Sequence, residues 1–274
     1  MESESSEVRW SSFAALGDSF TEGLNDTRAD GSFRGWADRL AEHLSAHNPE
    51  LRYANLAVRG KLIRQIVADQ VPQAVEMEPD LVAFTAGGND ILRPGSDPDE
   101  LASIFDDAVA RLRATGADVL ISTGFDTRQT PVLRALRGKV GTYNSHLRAI
   151  ADKHGCYVLD LWSMTALHDP RAWSEDRLHL SSEGHRRVAL RACEALGVPA
   201  DGDWREPWPP RPNVDWREQR VQDLRWAREH LGPWIGRRIR GVSSGDGRRP
   251  KRPRLERVEI HPHPQERAKQ TSDR

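Results

Sequence analysis

At 274 residues, 37% of them hydrophobic and 30% charged, the chain can bury a large core unaided, which excludes a small cross-linked scaffold. Its formal net charge of -1 hides two unlike parts: residues 1–200 carry 22 Lys and Arg against 29 Asp and Glu, and residues 201–274 carry 18 against 12. No run approaches the roughly 18 consecutive apolar residues of a membrane span, and the acidic, serine-rich start has no apolar core behind a basic lead, so the expected location is the cytoplasm.

Residues 1–9 are expected to be disordered. From 10 to 197, short apolar runs at 12–16, 52–56, 81–85, 119–123 and 157–161 alternate with stretches of helical apolar spacing at 35–47, 61–77, 98–115 and 139–154, and a last helix at 183–196. That order predicts βαβ units and a three-layer α/β/α sandwich on a five-stranded parallel sheet. Beyond Gly197, prolines interleave with Trp204 and Trp208, which predicts an extended connector over 198–213. A helical arm is expected over 214–240 and a disordered basic tail over 241–274.

The first strand runs into Gly17-Asp18-Ser19-Phe20-Thr21-Glu22-Gly23, a glycine-bounded turn at a strand end, where open parallel sheets bind ligands. A serine there is either a nucleophile or the cap of the next helix. As a nucleophile it needs a base with an orienting carboxylate, and Asp176 and His179, three residues apart, can meet across one tight turn. His185 lies too far into the last helix and reads as structural, and His43, His47, His146 and His154 fall on helix faces or ends. Donors for a developing oxyanion are offered by Gly87-Gly88-Asn89-Asp90 after the third strand and by Gly60 after the second; each alone also reads as a simple turn. Together they bring polar loops to the ends of strands one, two and three.

Over about residues 10–197 these segments resemble the SGNH hydrolases, the GDSL esterase and lipase family. Gly17-Asp18-Ser19 with Thr21 and Gly23 is similar to the family's first block, with Phe20 where leucine is usual. Gly60, Gly87-Gly88-Asn89-Asp90 and Asp176 with His179 follow in the family's order. The resemblance implies a flavodoxin-like fold and a lipase-like esterase in which Ser19 is the nucleophile, His179 the base and then acid, and Asp176 the orienting acid. It further implies an oxyanion hole of the Ser19 and Gly60 N–H groups and the Asn89 side chain, with Asp18 and Asp90 supporting the loops. Leu180 departs from the proline that many members carry after the histidine, which is expected to alter loop stiffness and leave the site intact.

The expected substrate is a small-molecule ester with a short acyl chain, because the loops at 24–36, 91–98 and 125–136 are polar and mixed. Acyl transfer, hydrolysis of a carbohydrate O-acetyl group and noncatalytic binding through the C-terminal arm are the alternatives. No cofactor and no metal are expected: Cys156 and Cys193 have neither metal nor redox spacing and read as buried hydrophobes, and His261 and His263 stand alone between prolines. Gly241-Val242-Ser243-Ser244-Gly245 spells a nucleophile elbow without the strand that motif needs. The basic run from Arg248 to Arg257 lacks aromatics for base stacking, so no specific nucleic acid is expected. The five tryptophans between 204 and 234 are expected to dock on the domain, on a partner or second copy, or beside the site mouth.

Overall fold

The computed structural model describes residues 9–129, 133–210, 226, 228–229 and 245–258. Five of the sheet's strands are parallel: β1 (Ser12–Leu16), β2 (Arg52–Asn55), β3 (Leu81–Phe84), β4 (Asp118–Ser122) and β5 (Tyr157–Leu159). Period-two alternation sorts their side chains onto two faces. Phe13, Ala15, Tyr53, Leu81 and Leu120 meet α2 (Gly35–His47) and α7 (Ser182–Leu196). Ala14, Leu16, Val82, Phe84 and Ile121 meet α3 (Ile63–Met77), α5 (Pro98–Arg113) and α6 (Arg137–His154). Both free cysteines were expected to be buried; Cys193 is in the first core, whereas Cys156 is only half-buried.

The order β5-β4-β3-β1-β2 places β1 between β3 and β2. The sheet changes its direction of growth there, so the loops after β1 and β3 diverge and leave a crevice at their carboxyl ends. Two one-turn helices occupy those loops, α1 (Ser19–Glu22) and α4 (Gly88–Ile91), where the sequence suggested only turns.

The sheet has six strands, not five. Residues Arg252–Arg257, expected to be part of a disordered tail, form β6, antiparallel to β2 at the edge. The strand Arg-Pro-Arg-Leu-Glu-Arg has no apolar alternation because most of its side chains are exposed, and an edge position tolerates Pro253. Backbone pairing, the Val258 N–H on the Leu51 carbonyl, Leu255 against the second core and Arg252 5.8 Å from the Tyr53 ring hold it. In the connector, Trp208 donates to the Ala166 carbonyl at 2.9 Å beneath the Arg187 guanidinium, and Trp204 bonds to Glu194, so both indoles dock on the chain's own domain. The expected arm at 214–240 lies outside the described residues except for Trp226, Arg228 and Glu229, as do residues 1–8, Gly241 to Ser244, His261 and His263. No helix among the described residues is long and apolar enough to cross a membrane.

Candidate active site

The cap of α1 is Asp18, whose side chain accepts the Phe20 N–H at 3.1 Å. Ser19 is thereby freed from capping, and its Oγ stands 3.1 Å from His179 Nε2. The turn depends on Gly23: with φ +86°, its Cβ would lie 2.5 Å from the Cα of Gly35, so two backbones touch where α1 ends and α2 begins. Gln70 secures the other side, accepting the Gly17 N–H at 2.8 Å and donating to its carbonyl at 2.9 Å.

His179 Nδ1 meets Asp176 Oδ2 at 2.7 Å. The same oxygen accepts the Asn25 amide at 2.9 Å, while Oδ1 accepts the Ser174 hydroxyl and the Leu178 and His179 N–H groups at 2.8–2.9 Å. Burial pushes the Asp176 carboxyl up, but the His179 hydrogen bond and charge and the two backbone donors outweigh it and hold the group far below the usual carboxylate range. A permanent carboxylate fixes the Nδ1–H tautomer and turns Nε2 toward Ser19 as an acceptor. His185, by contrast, is buried in α7, where Nδ1 accepts the Trp36 N–H at 3.2 Å, a structural contact.

Asn89 comes to the same crevice, but its amide nitrogen already donates to Asp18 Oδ2 at 2.9 Å and to the Lys61 carbonyl at 3.1 Å. Asp90 Oδ2 accepts the Ile63 N–H at 2.9 Å, which ties α4 to the start of α3. Gly60 has φ +74° and follows Arg59, whose N–H and guanidinium bind the buried Glu22 carboxylate. Glu22 and Asn25 escaped the sequence reading: a glutamate and an asparagine in a turn look solvated, and only Asn25's tolerance for its φ of +72° gave a local hint.

A cavity of about 180 Å³ opens on Ser19 and His179. The loops expected to give it a polar character contribute mainly their apolar members, among them Leu24, Ile91, Phe125 and Leu136, and α6 adds Val140 and Leu147. The lining is therefore predominantly aliphatic and aromatic, contrary to the character of the loop sequences. Among the described residues no group of three His, Cys, Asp or Glu side chains is placed to hold a metal.

The GDSL-like lipase/acylhydrolase family model matches residues 15–187, and the chain belongs to that family of ester hydrolases. Among solved structures, LAE5, an alpha/beta hydrolase enzyme from the metagenome of Lake Arreo, Spain, is 25% identical with a TM-score of 0.58, over 69% of this chain and 95% of that one. Axe2, an acetylxylan esterase from Geobacillus stearothermophilus, shares the fold at 20% identity and a TM-score of 0.55, over 71% and 95%. TesA does so at 21% and 0.57, over 68% and 97%. No curated protein sequence matches the chain.

Proposed function

We propose that the protein hydrolyses carboxylic esters through an acyl-serine intermediate. Ser19 Oγ attacks the ester carbonyl carbon while His179 Nε2 takes the hydroxyl proton, and Asp176 stabilises the imidazolium. The tetrahedral intermediate collapses, and the alcohol leaves with the proton returned by His179. Water, deprotonated by the same nitrogen, then attacks the acyl carbon, and His179 returns that proton to Ser19 Oγ as the carboxylic acid is released. The observation that carries this reading is the continuous relay Ser19–His179–Asp176 at 3.1 and 2.7 Å. In Axe2, two variants described as catalytic mutants change an aspartate and a histidine three residues apart, the spacing of Asp176 and His179.

The oxyanion is assigned to the Ser19 and Gly60 N–H groups and to Asn89. Ser19 is the first residue of α1, so its N–H has no partner within that helix. The Asn89 amide would turn one hydrogen from Lys61 or Asp18 to the substrate. The apolar lining favours an acyl chain over a sugar in the cavity, and about 180 Å³ holds only a short or medium chain, since a cavity of about 150 Å³ holds a benzene.

Hydrolysis of p-nitrophenyl acetate, butyrate, octanoate and palmitate beside Ser19→Ala tests the reading. Activity that peaks at butyrate or octanoate and falls by about 10³-fold or more in Ser19→Ala supports it. Undiminished turnover in Ser19→Ala sinks the nucleophile assignment, and a preference for palmitate sinks the chain-length assignment.

A further inference from the structure

The family match ends at residue 187, yet three groups beyond it rest on three separate loops of the site. Lys251, just before β6, has a largely buried side chain whose ammonium donates to the carbonyls of Glu22, Phe33 (3.1 Å) and Arg34 (3.0 Å) and to the Asp38 carboxylate. Those oxygens lie at the end of α1 and the start of α2. Gly245 is packed so tightly against the Arg59 carbonyl that a Cβ there would stand 1.9 Å from the oxygen. Trp226 Nε1 donates to the Asp176 carbonyl at 2.9 Å, and its ring lies 5.1 Å from the guanidinium of Arg177, the residue of the Asp176–His179 turn with φ +54°.

We propose that the C-terminal segment is a positioning element for the catalytic centre, in which Lys251 holds the nucleophile helix α1 and Trp226 holds the Asp176–His179 turn; this rests on the roles assigned to Ser19, His179 and Asp176 above. The physical reason lies in the size of α1. A helix of one turn has no cooperative stability of its own, so the direction of Ser19 Oγ follows from what holds α1 from outside: the Asp18 cap at its start, the Asn55 amide on the Thr21 carbonyl, and the grip on its far end, Glu22. Glu22 is gripped twice, its carbonyl by Lys251 and its carboxylate by the Arg59 N–H at 2.7 Å, and Arg59 is the neighbour of Gly60. Desolvating an ammonium is expensive, and here four oxygens around one lysine offset it. On the other loop, Arg177 adopts a left-handed backbone that an arginine disfavours, and the Trp226 ring and N–H hold that turn from outside. Neither Lys251 nor Trp226 touches the cavity, so neither binds the acyl chain.

The test uses the full chain as wild type, Ser19→Ala, Lys251→Met and Trp226→Phe, with p-nitrophenyl butyrate as substrate. Reactive Ser19 is counted by titration with a p-nitrophenyl alkylphosphonate, and circular dichroism reports folding at the assay temperature. Expected for both C-terminal variants is a kcat per titrated serine lowered about tenfold or more, a KM within about twofold of wild type, and a phosphonylation rate that falls in parallel. Folded variants with kcat and phosphonylation within about twofold of wild type overturn the proposal, as does a loss confined to the number of titratable serines, which reports stability alone. If Lys251→Met does not fold, Trp226→Phe decides by the same criteria. Full activity in Ser19→Ala overturns the site assignment itself; an inactive Ser19→Ala beside fully active Lys251→Met and Trp226→Phe overturns only the positioning role.

Discussion

Asn25 and His179 share one oxygen: the Asn25 amide donates to Asp176 Oδ2 at 2.9 Å, and His179 Nδ1 meets the same atom at 2.7 Å. Asn25 also donates to the Ser174 hydroxyl at 2.8 Å, which in turn donates to Asp176 Oδ1, so a residue next to α1 orients the carboxylate that orients the histidine. Asn25→Gly and Asn25→Ala both remove the amide and should lower kcat alike, by about tenfold, the worth of one hydrogen bond to a charged acceptor. Only alanine strains the φ of +72°, so its melting point should fall below that of the glycine variant by the equivalent of about 1 kcal/mol. Steady-state kinetics with thermal melts check both; equal melting points would show that the turn carries no strain.

Asp176→Asn keeps the shape of the acid and changes its hydrogen-bond logic. Its amide group can donate to Nδ1, which favours the tautomer whose hydrogen sits on Nε2 and faces Ser19. The expected loss in kcat is on the order of 10³–10⁴-fold with the fold intact. Measured activity within tenfold of wild type would remove Asp176 from the relay.

Val140 lines the cavity from α6. Val140→Phe inserts about four heavy atoms into a space of about 180 Å³ and should lower kcat/KM for p-nitrophenyl octanoate about tenfold or more while leaving the acetate within about threefold. An unchanged octanoate-to-acetate ratio would place the acyl chain elsewhere.

Acid should destabilise the fold through His185. Burial, the largest influence, pulls its pKa down to about 4; Asp26 and the Leu24 carbonyl pull it up, and Arg39 and Lys251 push it down. The geometry agrees, because Nδ1 accepts the Trp36 N–H and cannot take a proton without losing that bond. The unfolded imidazole, near its ordinary 6.5, binds a proton that the folded one refuses, so this contribution to stability is whole above about pH 6.5 and is lost as the pH falls toward 4. The slope approaches about 1.4 kcal/mol per pH unit in that window. Thermal melts from pH 7 to 4.5 should fall more steeply for wild type than for His185→Gln; parallel curves would assign the acid sensitivity to other groups.

What the sequence determined by itself is local. Side-chain period distinguishes strand from helix, so β1 and α2 fall at 12–16 and 35–47 as expected, and neighbouring elements differ by one to a few residues at their ends. A spacing of three brings Asp176 to His179 in one turn, and a strand end followed by glycine and serine places Ser19 at the crevice. Tertiary structure decided the rest. Asp18, adjacent to Ser19, took the capping role that would have left the serine structural, an outcome set by backbone geometry more than by residue type. Leu24, Ile91 and Phe125 turned inward from loops whose composition is polar, because only a closed fold decides which side of a loop meets the interior. β6 is held by backbone pairing at a sheet edge and so carries no apolar period. Lys251 reads as one more solvated charge in a basic tail, and only the four oxygens assembled from residues more than two hundred positions away make its burial possible.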